Sequence, residues 1–266
     1  MSTTSLPFNT DLARVSLMPK GRLLRAYLTE AKYEFVRMLR TPGYAVPFLG
    51  LPVMMYLFFG VVIFGAAVHI DPVAGPFLFA AFSVFGMMGP GMFGFGMAAA
   101  LEREQGLLRL KRALPMPSAS YLVAKMIMAM LFGAIIMVTM LVAALTLAHL
   151  KLSFGQCVLV SVVNILGGMP FCAIGLFIGT LATGKSAPAY LNIIYQIMMH
   201  LSGLFYPLPK VLQTSAPVWP TYHLRQLVMS ILGAPAVGGT MTHVAVLAGI
   251  TLLFGAFAVR RLTRVG

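Results

Sequence analysis

Of the 266 residues, 59% are hydrophobic and only 9% are charged, with a mean hydropathy of +0.91. An ordinary soluble domain carries roughly 25% charged residues, so this chain lacks the polar side chains to cover its own surface in water, and most of it belongs in lipid. Nineteen Lys and Arg against six Asp and Glu leave a net charge of +13. The bases are divided among short segments between apolar runs, a pattern of cytoplasmic membrane flanks that argues against nucleic acid as a partner.

The first segment, KGRLLRAYLTEAKYEFVRMLR (20–40), places Leu24, Tyr27, Leu28, Ala31, Phe35 and Leu39 at three- and four-residue spacing with bases largely between them. That periodicity predicts a helix with one apolar and one basic face, suited to lie along the cytoplasmic leaflet. The first apolar run starts only after about forty residues, too late for a cleaved secretory leader.

Six stretches then reach the ~20 residues that a helix needs to cross ~30 Å of hydrocarbon, with no Asp, Glu, Lys or Arg inside. They lie near 44–68, 76–100, 126–148, 156–182, 187–206 and 238–259. Lys and Arg in alternate connections sum to sixteen on one side and three on the other, and the richer side belongs inside. The expected architecture is therefore an all-α polytopic membrane protein of six transmembrane helices with both termini cytoplasmic. Residues 1–43 form a tail and interfacial amphipathic helix, 44–259 the membrane domain, and 260–266 a cytoplasmic tail. Cys157 and Cys172 both fall in one apolar stretch and read as small buried residues, with neither metal-ligand nor disulfide spacing.

Two nucleotide-binding patterns occur in the wrong surroundings. GTLATGKS (179–186) satisfies G-x-x-x-x-G-K-[ST]. A phosphate loop of that type follows a buried strand and opens a soluble helix, whereas these residues join two apolar spans. The octet reads as a tight turn with Lys185 snorkelling at the cytoplasmic side. Gly89-Pro-Gly-Met-Phe-Gly94, formally G-x-G-x-x-G, lies midway along the second span without strand–turn–helix context. Its glycines instead suit close helix approach.

The informative segment is ALEREQGLLRLKRALPMPSASYLVAK (100–125), directly after the second span. Leu107, Leu110 and Leu114 share one side of a short helix, Arg109 and Arg112 lie on another, and Pro115 with Pro117 ends it. A short amphipathic helix at a membrane exit is a natural docking piece for a cytosolic partner.

The run Glu102-Arg103-Glu104-Gln105-Gly106-Leu107-Leu108-Arg109-Leu110, continuing to Leu114-Pro115, resembles the E-R-E-x-G-x-L-x-x-L-x-x-x-P pattern of ABC-2 type permeases, the membrane subunits of ATP-binding-cassette exporters. LSGLFYPLPKVL (201–212) is similar to that family's Leu-Ser-Gly-x-x-x-Pro-Leu segment, and the basic amphipathic N-terminal helix is a third landmark. The resemblance covers nearly the whole chain from about residue 20. It implies a permease without catalysis of its own, paired with a second permease chain, identical or not, and driven by two cytosolic ATPase subunits. This chain would then hold no cofactor, ATP and Mg being bound by those partners. It also implies that 104–114 is the ATPase-coupling helix, and that 208–235, with Trp219, Tyr222, His223 and Arg225, forms short external or re-entrant helices. The run RLKR (109–112) is more basic than the family pattern, which predicts an acidic partner surface.

Polar groups inside spans tend to face other helices or a water-filled path. Asn192, Gln196 and His200 recur at i, i+4 and i+8, one stripe of a helix, with Asn164 and Thr139 as further candidates for a translocation path. Interhelical hydrogen bonding accounts for such residues equally well. Twenty Met and nineteen Phe would suit an adaptable lining for amphiphiles or simple core packing. An intramembrane protease or acyltransferase is the rival reading. It would need a nucleophile with a base or a metal cluster, and the five histidines, 69, 149, 200, 223 and 243, read as scattered. An ATP-independent channel or scaffold is the third.

Overall fold

The computed structural model describes residues 20–65, 72–107, 118–206 and 208–265, and the regular structure among them is helical. Helix α1 runs Lys20–Leu39, α2 Pro42–Ile63 and α3 Ala74–Glu104. Helix α4 is Ser118–Thr146, α5 Phe154–Gly167 and α6 Met169–Leu181. Then come α7, Ala187–Leu201, the short α8, Lys210–Gln213, α9, Pro220–Ile231, and α10, Thr240–Val265.

Among the described residues, five stretches are long and apolar enough to cross a membrane: Pro42–Ile63, Ala74–Glu104, Leu122–Thr146, Phe154–Leu181 and Thr240–Leu262. The sixth expected span, 187–206, is represented by α7 alone. Its 15 residues reach about 22 Å at ~1.5 Å per residue, short of ~30 Å of hydrocarbon. The chain leaves the helix at Ser202 and turns at Gly203, whose φ of 66° is left-handed. The stretch expected at 156–182 is two helices parted at Gly168, because Pro170 in the first turn of α6 has no N–H to continue the ladder of α5.

Helix α3 is the axis of the fold. Its apolar window is 78% buried, against 17% for those of α2 and α10, so α2 and α10 present most of their surface outward. The middle of α3, Pro90–Met97, widens into a π-helix where Pro90 cannot donate and glycine is dense. There α6 comes into backbone contact. A Cβ on Gly96 would lie 2.3 Å from the Gly175 carbonyl oxygen, and one on Gly179 would lie 2.3 Å from that of Gly96. The G-x-G-x-x-G pattern thus lies inside a helix built for close approach. Phe79, Phe82, Met88, Met92, Met137, Met140 and Phe171 fill the core around it.

Contacts define two ends of the bundle. Near the start of α3, the guanidinium of Arg225 from α9 sits 5.2 Å from the centre of the Phe77 ring. At its end, Glu102 pairs with side chains of α1 and α4. Phe77 and Glu102 are about 37 Å apart at ~1.5 Å per residue. Helix α7 leaves the Glu102 end, where Gly184 bonds Glu104. It arrives at the Phe77 end, where Thr221 Oγ1 donates to the Met198 carbonyl at 3.2 Å. Helix α10 starts at the Phe77 end beside α9 and carries Ala258 back against Phe95, Ala99 and Leu176.

Candidate functional site

The last turn of α3 contains Glu102, Arg103 and Glu104. Carboxylates there face the negative end of the helix dipole, so they persist only where each is bonded. Glu102 turns inward and is 3% exposed; Lys125 of α4 is 0% exposed and Glu34 of α1 5%. Buried charges of this kind are tolerated when paired. Lys125 Nζ bonds the Glu34 carboxylate and lies 3.2 Å from Glu102 Oε1. Arg37 Nη2 donates to Glu34 at 2.7 Å and to Glu102 at 2.6 Å. Two acids and two bases thereby tie three separate segments of chain at one point.

Arg103 and Glu104 reach the other way. Arg103 donates to the carbonyls of Thr180 and, at 2.5 Å, Ala182. Glu104 Oε2 accepts the Gly184 N–H at 2.5 Å. The octet 179–186 is therefore the end of α6 and a turn, closed by Thr183 and Ser186 bonding each other at 2.9 Å. Its glycine N–H, the group a phosphate would need, is occupied by a carboxylate of the same chain. These residues do not fit a nucleotide. Just beyond, Gly106 takes a φ of 73°, a conformation only glycine adopts cheaply, and turns the chain out of α3. Gly106 and Leu107 are the last described residues of the predicted coupling segment. Arg109, Leu110, Arg112, Leu114 and Pro115 lie outside the described residues, as do His69 and Asp71.

Helix α1 forms where periodicity predicts it, but its buried face differs. Ala31, Glu34 and Met38 are buried, and Phe35 meets Phe132 of α4 edge-on at 5.5 Å. Leu24 and Leu28 stay largely exposed, as does Leu39. The apolar pattern is shared between a strip packed on α4 and a strip facing away from the bundle.

On α7, Asn192, Gln196 and His200 are all exposed on the single chain, beside exposed Tyr190 and Ile193. His200 Nδ1 is 2.8 Å from the Gln196 carbonyl. The structure does not bring Asn164 or Thr139 to this stripe. Asn164 is fully buried, its Nδ2 donating to the Val160 carbonyl at 3.0 Å. Thr139 Oγ1 bonds back to Ile135 and Ile136 of its own helix, each at 2.9 Å.

At the far end, α8, a 3-10 turn at Ala216–Val218 and α9 are the expected short helices. Half-buried Trp219 precedes α9. Arg225 Nη1 donates to the Gly203 carbonyl at 2.7 Å, and burial pushes its guanidinium below the usual arginine range, with Tyr222 opposing. Tyr222 packs edge-on against His223, 5.3 Å between ring centres. His223 is not isolated, as its spacing in the sequence suggested, but meets His243 of α10 at 2.8 Å between Nδ1 atoms.

Sequence reasoning thus missed Glu34, Arg37 and Lys125 as partners of Glu102, and His243 as partner of His223. A signal existed for the first set. The chain has only six acids, and Lys125 sits where an apolar span begins, so a partner drawn from those few acids was required.

Residues 25–232 match the sequence profile of a family described as ABC-2 type transporter. The chain is also 24% identical over 193 residues to the “Putative transport permease YvfS” of Bacillus subtilis (strain 168), an overlap spanning 71% of this chain and 78% of that relative.

Proposed function

Because the chain belongs to the ABC-2 type transporter family, a multi-pass membrane transporter subunit rather than an enzyme, we propose that it is the permease of an ATP-driven exporter. It pairs with a second permease chain and is driven by two cytosolic ABC ATPase subunits, which bind ATP and Mg. The carrying observation is the tripeptide Glu102–Arg103–Glu104. It joins α1 and α4 through Glu102 and the α6–α7 turn through Arg103 and Glu104, and its Glu104 opens the segment that the family resemblance assigns to the ATPase groove.

In this reading 104–114 is pushed when ATP closes the ATPase pair. The displacement passes through two rigid connections, one into α1 and α4 and one into α6 and α7. An ionic cluster whose Glu34, Glu102 and Lys125 are buried and bonded to one another resists deformation, since separating its members leaves charge in a low-dielectric interior. The helices it grips therefore move as bodies, which is what alternating access requires. Both termini lie in the cytoplasm, in agreement with the count of bases. Helix α7 completes a sixth crossing together with its flanking turns, a reading supported by the bond of its preceding turn to Glu104 at the end of α3 and by the contact of its Met198 with α9, which packs on the start of α3.

The stripe Asn192, Gln196 and His200 lines the route between the two permeases. Uncovered polar groups at membrane depth are costly, so a partner surface or an aqueous path covers them. Tyr190 and Ile193 beside them make that lining amphipathic, matching a drug-like or lipid-like amphiphile as cargo. Deleting 107–114 should leave membrane insertion intact and abolish co-purification with the ATPase. Retained co-purification with normal substrate-stimulated hydrolysis would contradict the assignment.

A further inference from the structure

The contact between α9 and α10 poses a proton-counting problem. His223 Nε2 is 2.7 Å from the Pro217 carbonyl oxygen, and His243 Nε2 is 2.9 Å from that of Val237. A carbonyl only accepts, so both Nε2 atoms carry hydrogen. The Nδ1 atoms then face each other at 2.8 Å. If both rings are neutral, their Nε2–H tautomers point two lone pairs at one another. If both are cationic, two N–H bonds collide and two like charges share one buried contact. Only one state satisfies all four nitrogens: three hydrogens, with one N–H donating to the opposite Nδ1.

We propose that His223 and His243 form a binding site for one proton, and that this proton latches α9 onto the start of α10. The latch is closed over a pH window and released on either side of it. On the acid side, burial and the neighbouring His243 resist a second charge, lowering His223 from the usual imidazole range, although its bond to Pro217 opposes this. On the alkaline side, loss of the shared proton leaves facing lone pairs. The ionisable neighbours on α9 are Tyr222, whose ring lies against both imidazoles, and Arg225, which is held by Gly203. Of the elements packed on α9, the first half of α3 (74–89) adds no ionisable group, α5 adds Cys157, α7 adds Tyr190, Tyr195 and His200, and the first half of α10 adds only His243 itself. Among these described residues there is no acid, so within them the pair shares its proton instead of passing it to a carboxylate.

What the latch holds is the loop between α9 and α10. Gln226 Oε1 accepts the Val237 N–H at 3.0 Å, and the Val237 carbonyl accepts from His243. Gly238, with a φ of 95°, passes so close that a Cβ there would lie 3.1 Å from the His243 ring. The loop is thereby pinned to α9 at the end of the molecule remote from Glu102. The proton count is independent of the transport reading, whereas the medium that supplies the proton depends on it.

Trp219, the one tryptophan in the chain, immediately precedes α9, two residues after Pro217, and reports on this contact. The test is its fluorescence in the full-length protein in lipid nanodiscs, titrated from about pH 5 to about pH 9 to bracket the imidazole range. In His243→Gln or His223→Gln, an amide NH₂ can donate to the remaining imidazole and to the carbonyl, closing the bridge without an ionisable proton. Wild type should show a plateau bounded by transitions. Both glutamine variants should hold their signal flat through the same range, and His243→Phe should remain in the released state throughout. A wild-type signal without transitions, or glutamine variants titrating like wild type, would overturn the proposal. Transitions abolished by a chelator would overturn it too, by assigning the contact to a metal. If one glutamine variant fails to fold, the other makes the same comparison.

Discussion

The two ends of α3 are secured by opposite means. At the Glu102 end, two acids and two bases are held at one point among three segments, and charge does the holding. At the Phe77 end, Arg225 is bonded to a carbonyl and stacked on a phenyl ring, with neutral or proton-sharing groups around it. The first end is rigid because opening it strands charge. The second is held by single hydrogen bonds, each worth about 1 kcal/mol, and can re-form. The proposed drive from one side would need this asymmetry: a stiff connection where force enters and a releasable one at the far end.

The largest effect of substitution is expected at the ionic end. Lys125→Met leaves Glu34 and Glu102 buried with a cation removed, and should cost about 3–5 kcal/mol, seen as a large fall in melting temperature in detergent. Pairing it with Glu34→Leu should recover most of the loss, because a charge-neutral apolar replacement is often as stable as a buried pair.

At the opposite end, Arg225→Leu strands the Gly203 carbonyl and should cost about 1–3 kcal/mol, with melting again as the measure. A smaller effect is a pH dependence confined to that end. The His223 pKa is lowered in the folded state, so the unfolded chain binds more protons there. On the acid side, the contribution of His223 to stability is lost as pH drops from the unfolded value of ~6.5 through the lower folded value. Melting of wild type should therefore fall on the acid side more than that of His223→Gln. Gly184→Ala is smaller still. Its Cβ would lie 2.4 Å from Glu104 Oε2, displacing an exposed carboxylate and costing about 1 kcal/mol while the ionic cluster stays intact. Melting that fell as far as for Lys125→Met would show the turn to be part of the cluster.

The membrane class, the N-terminal helix and the false nucleotide loop were legible because they rest on local properties: apolar length, helical period and the context of a motif. What was not legible depends on separation in sequence. Glu34 and Glu102 are 68 positions apart, and no local pattern in α1 announces that its buried face includes a carboxylate. The α7 stripe could be read from its i, i+4 spacing, whereas the attachment of Asn164 and Thr139 to it could not, since which faces of α4 and α5 meet is decided by packing. Glu104 and Gly184 were each singled out, one in a coupling motif and one in a loop. Only the fold showed that they bond each other. The breadth of the apolar run 187–206 hid the turn at Gly203, because hydropathy does not distinguish a helix from an apolar turn that follows it.

In the proposed mechanism, Arg103 and Glu104 carry motion from the proposed coupling segment 104–114 into α6 and α7. The direct measurement is transport per ATP hydrolysed in the reconstituted complex, comparing wild type with the double variant Arg103→Gln, Glu104→Gln. Assembly and hydrolysis should stay normal in the variant, with transport per ATP reduced about tenfold or more, equivalent to at least about 1.4 kcal/mol of lost coupling. An assembled complex whose transport per ATP equals that of wild type would contradict it.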